Sequence, residues 1–61
     1  MMFYTAITIN SEDGQVAPLR MNAPHDNKEA WREIRKHVRD GYELLAIVRG
    51  DHPVYNETSE K

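Results

Sequence analysis

The sequence predicts a small α+β fold: an antiparallel sheet with one helix packed on it, in the order ββαβ or ββαββ. Three observations carry this. Two β-rich segments flank an early turn, one capped segment repeats its apolar residues at helical spacing, and a continuous apolar run follows a glycine.

The first strand is expected over Met2 to Asn10, where Phe3, Tyr4, Thr5, Ile7, Thr8 and Ile9 supply aromatic and β-branched side chains. Phe3, Ile7 and Ile9 share one side of the period-two pattern, with Thr5 the polar exception. A turn follows at Ser11–Gly14, where Gly14 can take a positive φ. From Gln15 to Met21, Ala17, Leu19 and Met21 alternate with Pro18 and Arg20. Pro18 has no N–H to give to a ladder, so this segment reads as an edge strand and the first two segments as a hairpin.

Asp26 with Glu29 three residues later has the spacing of a capping box. The helix is expected from Asn27 to Asp40 and to stop at Gly41, with Ala30, Trp31, Ile34 and Val38 as its inward arc. Trp31, the largest apolar side chain, is expected to fill the core. Beyond Gly41 comes the run Leu44–Val48, five apolar residues without alternation. Such a run predicts a central strand covered on both faces. With a single helix, the second cover has to come from another copy or a partner. Leu45, Ile47 and Tyr55 are therefore assigned to a dimer interface. Gly50-Asp51 can turn the chain, and His52–Tyr55 would add a short edge strand, the only strand position Pro53 tolerates. Residues 1–56 form one domain and 57–61 a polar tail.

Composition narrows the function. Sixty-one residues make a domain near the lower size limit for folding without staples, which is a second reason to expect self-association. Without cysteine there are no disulfides and no Cys-based zinc sites. A net charge of −2 argues against a generally polybasic nucleic-acid binder. The first residues lack the charged and apolar regions of a signal peptide, and no apolar run reaches membrane-spanning length, so a cytoplasmic setting is expected. In that setting the Asn56-Glu57-Thr58 glycosylation pattern has no meaning.

The helix followed by "GYELLAIV" resembles small uncharacterised bacterial and phage domains with a helix, a Gly-(Trp/Tyr)-Glu-Leu signature and a strand. The resemblance spans Ala30 to Val48, about a third of the chain. It implies an α+β fold and a bacterial or phage setting, in host cytoplasm if phage-encoded. No functional residue comes with it.

The distinctive pattern is a basic stripe. Lys28, Arg32, Arg35 and Arg39 fall at i, i+4, i+7 and i+11, within about 60° on a helix of 100° per residue, and Lys36 stands beside them. Glu29 and Glu33 offer i,i+3 partners, so a plain solvated face accounts for part of the pattern. Four like charges on one line nevertheless repel, and a partner of opposite sign would relieve them. No aromatic residue belongs to the stripe to stack on bases. An acidic protein surface is therefore favoured over DNA or RNA.

His25, His37 and His52 share no ligand spacing, so no metal is expected. No Ser-His-Asp arrangement, phosphate loop or H-E-x-x-H motif is present, and so small a core leaves little room for a substrate pocket. The expectation is a non-enzymatic regulator or inhibitor without a cofactor or small-molecule substrate, dimeric, binding a partner through Lys28, Arg32, Arg35, Lys36 and Arg39. A nucleic-acid module using the same residues, or a structural subunit of a larger assembly, are the alternatives. The tripeptide Arg49-Gly50-Asp51 is read as a strand end and turn, not as a recognition signal.

Overall fold

The computed structural model describes residues 1–54. Its elements run β1 (Met2–Asn10), β2 (Val16–Ala23), α1 (Asn27–Arg35) and β3 (Tyr42–Arg49). The three strands form one antiparallel sheet in the order β2-β1-β3, with the helix on one face. This is the ββαβ form of the predicted fold. Residues 51–54 are not a strand, and Tyr55 lies outside the described residues.

The hairpin between β1 and β2 is closed by local polar groups. The Asn10 side-chain oxygen accepts from the Glu12 and Asp13 N–H groups, and the Asp13 carboxylate from Gln15 N–H. Gly14 sits at φ 74°, the left-handed conformation this turn requires. Pro18 lies on β2, an edge strand as its missing donor demands.

The helix begins as its cap dictates: the Asp26 carboxylate accepts from Glu29 N–H at 3.2 Å. It ends earlier than Asp40. Lys36 N–H is shared between Arg32 and Glu33 carbonyls, and His37 and Val38 donate to Ile34 and Arg35, tightening the chain into i→i−3 turns. The reason is reach. Gly41 has to return to the sheet, where its carbonyl accepts from both the N–H and the hydroxyl of Ser11. Residues 36–41 are spent on that descent. Gly41 has φ 87° in a turn closed by Tyr42 N–H to Arg39 C=O, so it is a turn glycine and not the helix stop.

The run Leu44–Val48 is not in the central strand. Among the described residues β1 takes the centre, pairing on both sides, and β3 is an edge. The absence of alternation has a different cause, a bulge. Ile7 pairs with Ala46 and Thr8 with Leu44, which leaves Leu45 without an opposite residue and 52% exposed. Leu44 and Ile47 pack towards the helix, while Ala46 and Val48 lie across from Ile7 and Thr5 on the other face.

The core lies between helix and sheet. Tyr4, Ala6, Ala23, Ala30 and Ile34 are fully buried, ringed by Met2, Leu19, Met21, Leu44 and Ile47. Three alanines at the contact leave room for the helix backbone to sit close to the strands. The buried Tyr4 hydroxyl donates to Pro24 C=O at 2.8 Å, with His25 C=O at 3.2 Å, and so ties the centre of the sheet to the approach to the helix. Trp31 is not part of this core; it stands half-buried at the helix flank.

On the far face stand Phe3, Ile7, Ile9, Val16, Pro18, Ala46 and Val48. Among the described residues the chain crosses onto this face at one end. There the Thr5 hydroxyl donates to Gly50 C=O at 2.7 Å and accepts from His52 N–H at 2.9 Å, and Arg20 reaches Asp51 and His52 C=O. No helix among the described residues is long and apolar enough to cross a membrane.

Candidate functional site

The helix carries Trp31, Arg32, Arg35 and Lys36 as two interlocking i,i+4 pairs, Trp31 with Arg35 and Arg32 with Lys36. Between them runs a shallow groove of about 490 Å³, an apolar indole wall bordered by three cations. Trp31 reaches it because of its angle on the helix. It stands only about 40° from Arg35 at 100° per residue, on the border between the buried arc of Ala30 and Ile34 and the charged face.

The cations differ in how far they are already engaged. Lys36 lies 3.6 Å from Glu33, a pair with Lys36 73% exposed at its side chain and hence of small energy. Among the described residues, no carboxylate pairs with Lys28, Arg32 or Arg35. Arg39 falls beyond the last helical residue and stacks over the Tyr42 ring, 5.5 Å from its centroid. The stripe thus has a helical part, Lys28, Arg32 and Arg35, with Lys36 at the helix C-cap, and an outlying Arg39 on the loop. The remaining described cations serve the fold: Arg20 pairs with Asp51 at 3.0 Å, and Arg49 donates to His25 C=O and the Asn27 side chain.

The residues assigned to a dimer interface separate. Ile47 packs on the core beneath the helix, Leu45 is exposed at the bulge, and Tyr55 lies outside the described residues.

The histidines stay apart. His25 contributes its carbonyl to Tyr4 and Arg49, the His37 ring meets Glu33 C=O, and the His52 ring meets Arg49 C=O at 2.6 Å. Among the described residues no three His, Asp or Glu side chains gather into a metal-binding group. A smaller cleft of about 190 Å³ lies under the helix exit, against Thr8, Leu19, His37 and Val38. The buried hydroxyl it contains, that of Thr8, donates to Ala17 C=O, and His37 and Arg39 also line it. Arg49-Gly50-Asp51 points its two charged side chains to opposite faces of the sheet, one to the helix side and one to Arg20. The tripeptide is thus a strand end followed by a bend at Gly50, without the hairpin expected there.

Two features escaped the sequence reading. Trp31 stands beside the basic stripe and not inside the core; its angular position between arc and stripe was the available signal. The second is that the helix packs on the Tyr4 and Ala6 side of β1, leaving the Phe3, Ile7 and Ile9 side on the face away from it. No protein-family model, curated protein or solved structure matches the chain.

Proposed function

We propose that the protein is a non-enzymatic binding protein, a regulator or inhibitor of the kind encoded by bacteria or phages, that docks its basic helix on an acidic partner surface. The observation that supports this reading is the groove in which a half-exposed Trp31 is bordered by Arg32, Arg35 and Lys36. Tryptophan and arginine are the side chains most often found carrying the energy of protein interfaces, because they combine large area with hydrogen bonding at small entropic cost. Lys28 extends the positive surface along the helix, and Arg39 adds to it from the loop. Self-association as a homodimer in the cytoplasm completes the reading.

The same indole favours a second reading, since a base can stack on it while Arg32 and Arg35 meet phosphates. The two are separated by a titration that reads the chain's single tryptophan. Polyglutamate and a mixed-sequence RNA or DNA oligonucleotide are added in turn, at low and at physiological salt, while Trp31 emission is recorded. The protein-surface reading expects Trp31 to respond to polyglutamate. A response confined to the oligonucleotide, with a steep salt dependence, replaces it by the nucleic-acid reading. Charge reversal of both Arg32→Glu and Arg35→Glu is expected to weaken binding at least tenfold and to leave the melting temperature within a few degrees of the parent, because neither side chain is buried or paired. Undiminished binding moves the site off the helix.

A further inference from the structure

The positive surface around Trp31 does not stop at the helix. Arg49, the last residue of β3, reaches the start of α1, where its guanidinium donates to His25 C=O at 3.0 Å and to the Asn27 side-chain oxygen at 3.1 Å. Both acceptors are neutral, so these bonds fix the guanidinium in place and leave its charge uncancelled. Among the described residues no carboxylate pairs with it; Asp26, next to Asn27, is engaged in capping Glu29 N–H. Arg49 and Asn27 are both exposed.

Asn27 lies on the same flank of the helix as Trp31. The two are four residues apart, about 40° at 100° per residue, and Arg35 follows Trp31 by the same step. One flank thus runs from Arg49 at Asn27, through the indole, to Arg35. Asn27 and Arg35 are separated by about 12 Å along the axis at about 1.5 Å per residue, with Trp31 midway. A half-buried apolar ring stands between two cations, one brought in from β3 and one rising from the helix itself.

We infer that this row recognises an extended acidic segment of a partner protein, with one large apolar side chain against Trp31 and a carboxylate two residues to either side of it, meeting Arg49 and Arg35. The inference rests on the proposed reading of the basic groove and adds the partner's pattern to it. Spacing selects the extended form. Side chains two apart in a strand share one side, so carboxylates four residues apart stand about 13 Å from each other with the anchor between them. That span matches the row on the helix. A partner helix fits less well, because it docks an apolar stripe on an apolar surface, and Trp31 is the single apolar side chain of α1 outside the buried pair Ala30 and Ile34. A uniformly acidic partner fits less well too. Beyond Arg32 and Lys36 the helix turns to Glu29 and Glu33, which repel it, and the indole is left without an apolar contact.

The test is a fluorescence titration of Trp31 in the full chain, at low salt, with synthetic peptides. The probe is a heptapeptide blocked at both ends, with leucine at its centre, glutamate two places to either side and serine elsewhere. Its isomer has the glutamates moved next to the leucine, which turns them to the opposite side of an extended chain at unchanged composition and charge. The probe is expected to bind about fivefold tighter than the isomer and about tenfold tighter than a version with alanine for leucine. Arg49→Gln is expected to weaken the probe about threefold and Arg49→Lys to restore most of the loss, with circular dichroism checking the fold of each. Equal binding of probe and isomer, while polyglutamate still moves Trp31, overturns the pattern and leaves the basic groove in place. Undiminished binding of the probe to a folded Arg49→Gln overturns the β3 side of the site. If Arg49→Gln does not fold, the isomer and the alanine peptide decide alone. No response of Trp31 to any acidic probe overturns both this inference and the reading it rests on.

Discussion

Thr5 shows how much one side chain can decide in a domain of this size. It is the polar exception in an apolar strand face, yet it is essentially fully buried, because its hydroxyl donates to Gly50 C=O and accepts from His52 N–H. That pair of bonds fastens the end of β3 across the sheet face away from the helix. Thr5→Val keeps the shape and β-propensity but leaves a carbonyl and an amide without their partner, at a cost of about 1–3 kcal/mol. For a chain of this length each kcal/mol corresponds to about 4–8 °C in melting temperature, so a thermal scan resolves it. A melting temperature unchanged within a degree would show that the hydroxyl does not hold the segment. Trp31 is the opposite case. Its residue type suggested the core, but its angle on the helix puts it beside the cations, and that difference turns a filler into the candidate anchor of the binding groove.

At the level of elements, the helix is the most legible part and its far end the least. The cap was readable because Asp26 and Glu29 act over three residues, within the reach of local sequence. Asp26→Ala removes the bond to Glu29 N–H and is expected to destabilise the fold by about 1 kcal/mol, visible as loss of helical ellipticity together with a lower midpoint in urea. The C-terminal boundary was not readable in the same way. The periodicity of Val38 and Arg39 continues the helical pattern, but the chain leaves it after Arg35 to bring Gly41 to Ser11. The strand run Leu44–Val48 taught a similar lesson. Apolar residues on both faces arise from a bulge in an edge strand, which slips the alternation by one residue, and not from central placement.

For the molecule as a whole, the ordering of its two faces matters most. One side of the sheet is closed by the helix over a core rich in alanine, and the other presents Phe3, Ile7, Ile9 and Val48 outward. A two-layer chain with so small a closed core has little stability in reserve, since net folding free energy scales at about 0.05–0.15 kcal/mol per residue. In the proposed homodimer association adds to folding by mass action, so the melting temperature rises with protein concentration. We expect a rise of several degrees between low micromolar and several hundred micromolar, followed by circular dichroism. A flat response would count against self-association.

By itself the sequence determined the elements and their type: the β1–β2 hairpin with its glycine turn, the capped helix, the last strand, and the clustering of Lys28, Arg32, Arg35 and Lys36. These follow from interactions within a few residues, which spacing and residue chemistry record directly. Only the tertiary structure decided which strand stands at the centre, which side of β1 the helix covers, and where Trp31 ends up. Those depend on pairings between residues far apart in the chain, such as Tyr4 with Pro24 and Thr5 with Gly50, and the alternation of a strand names two faces without saying which one a distant helix will choose.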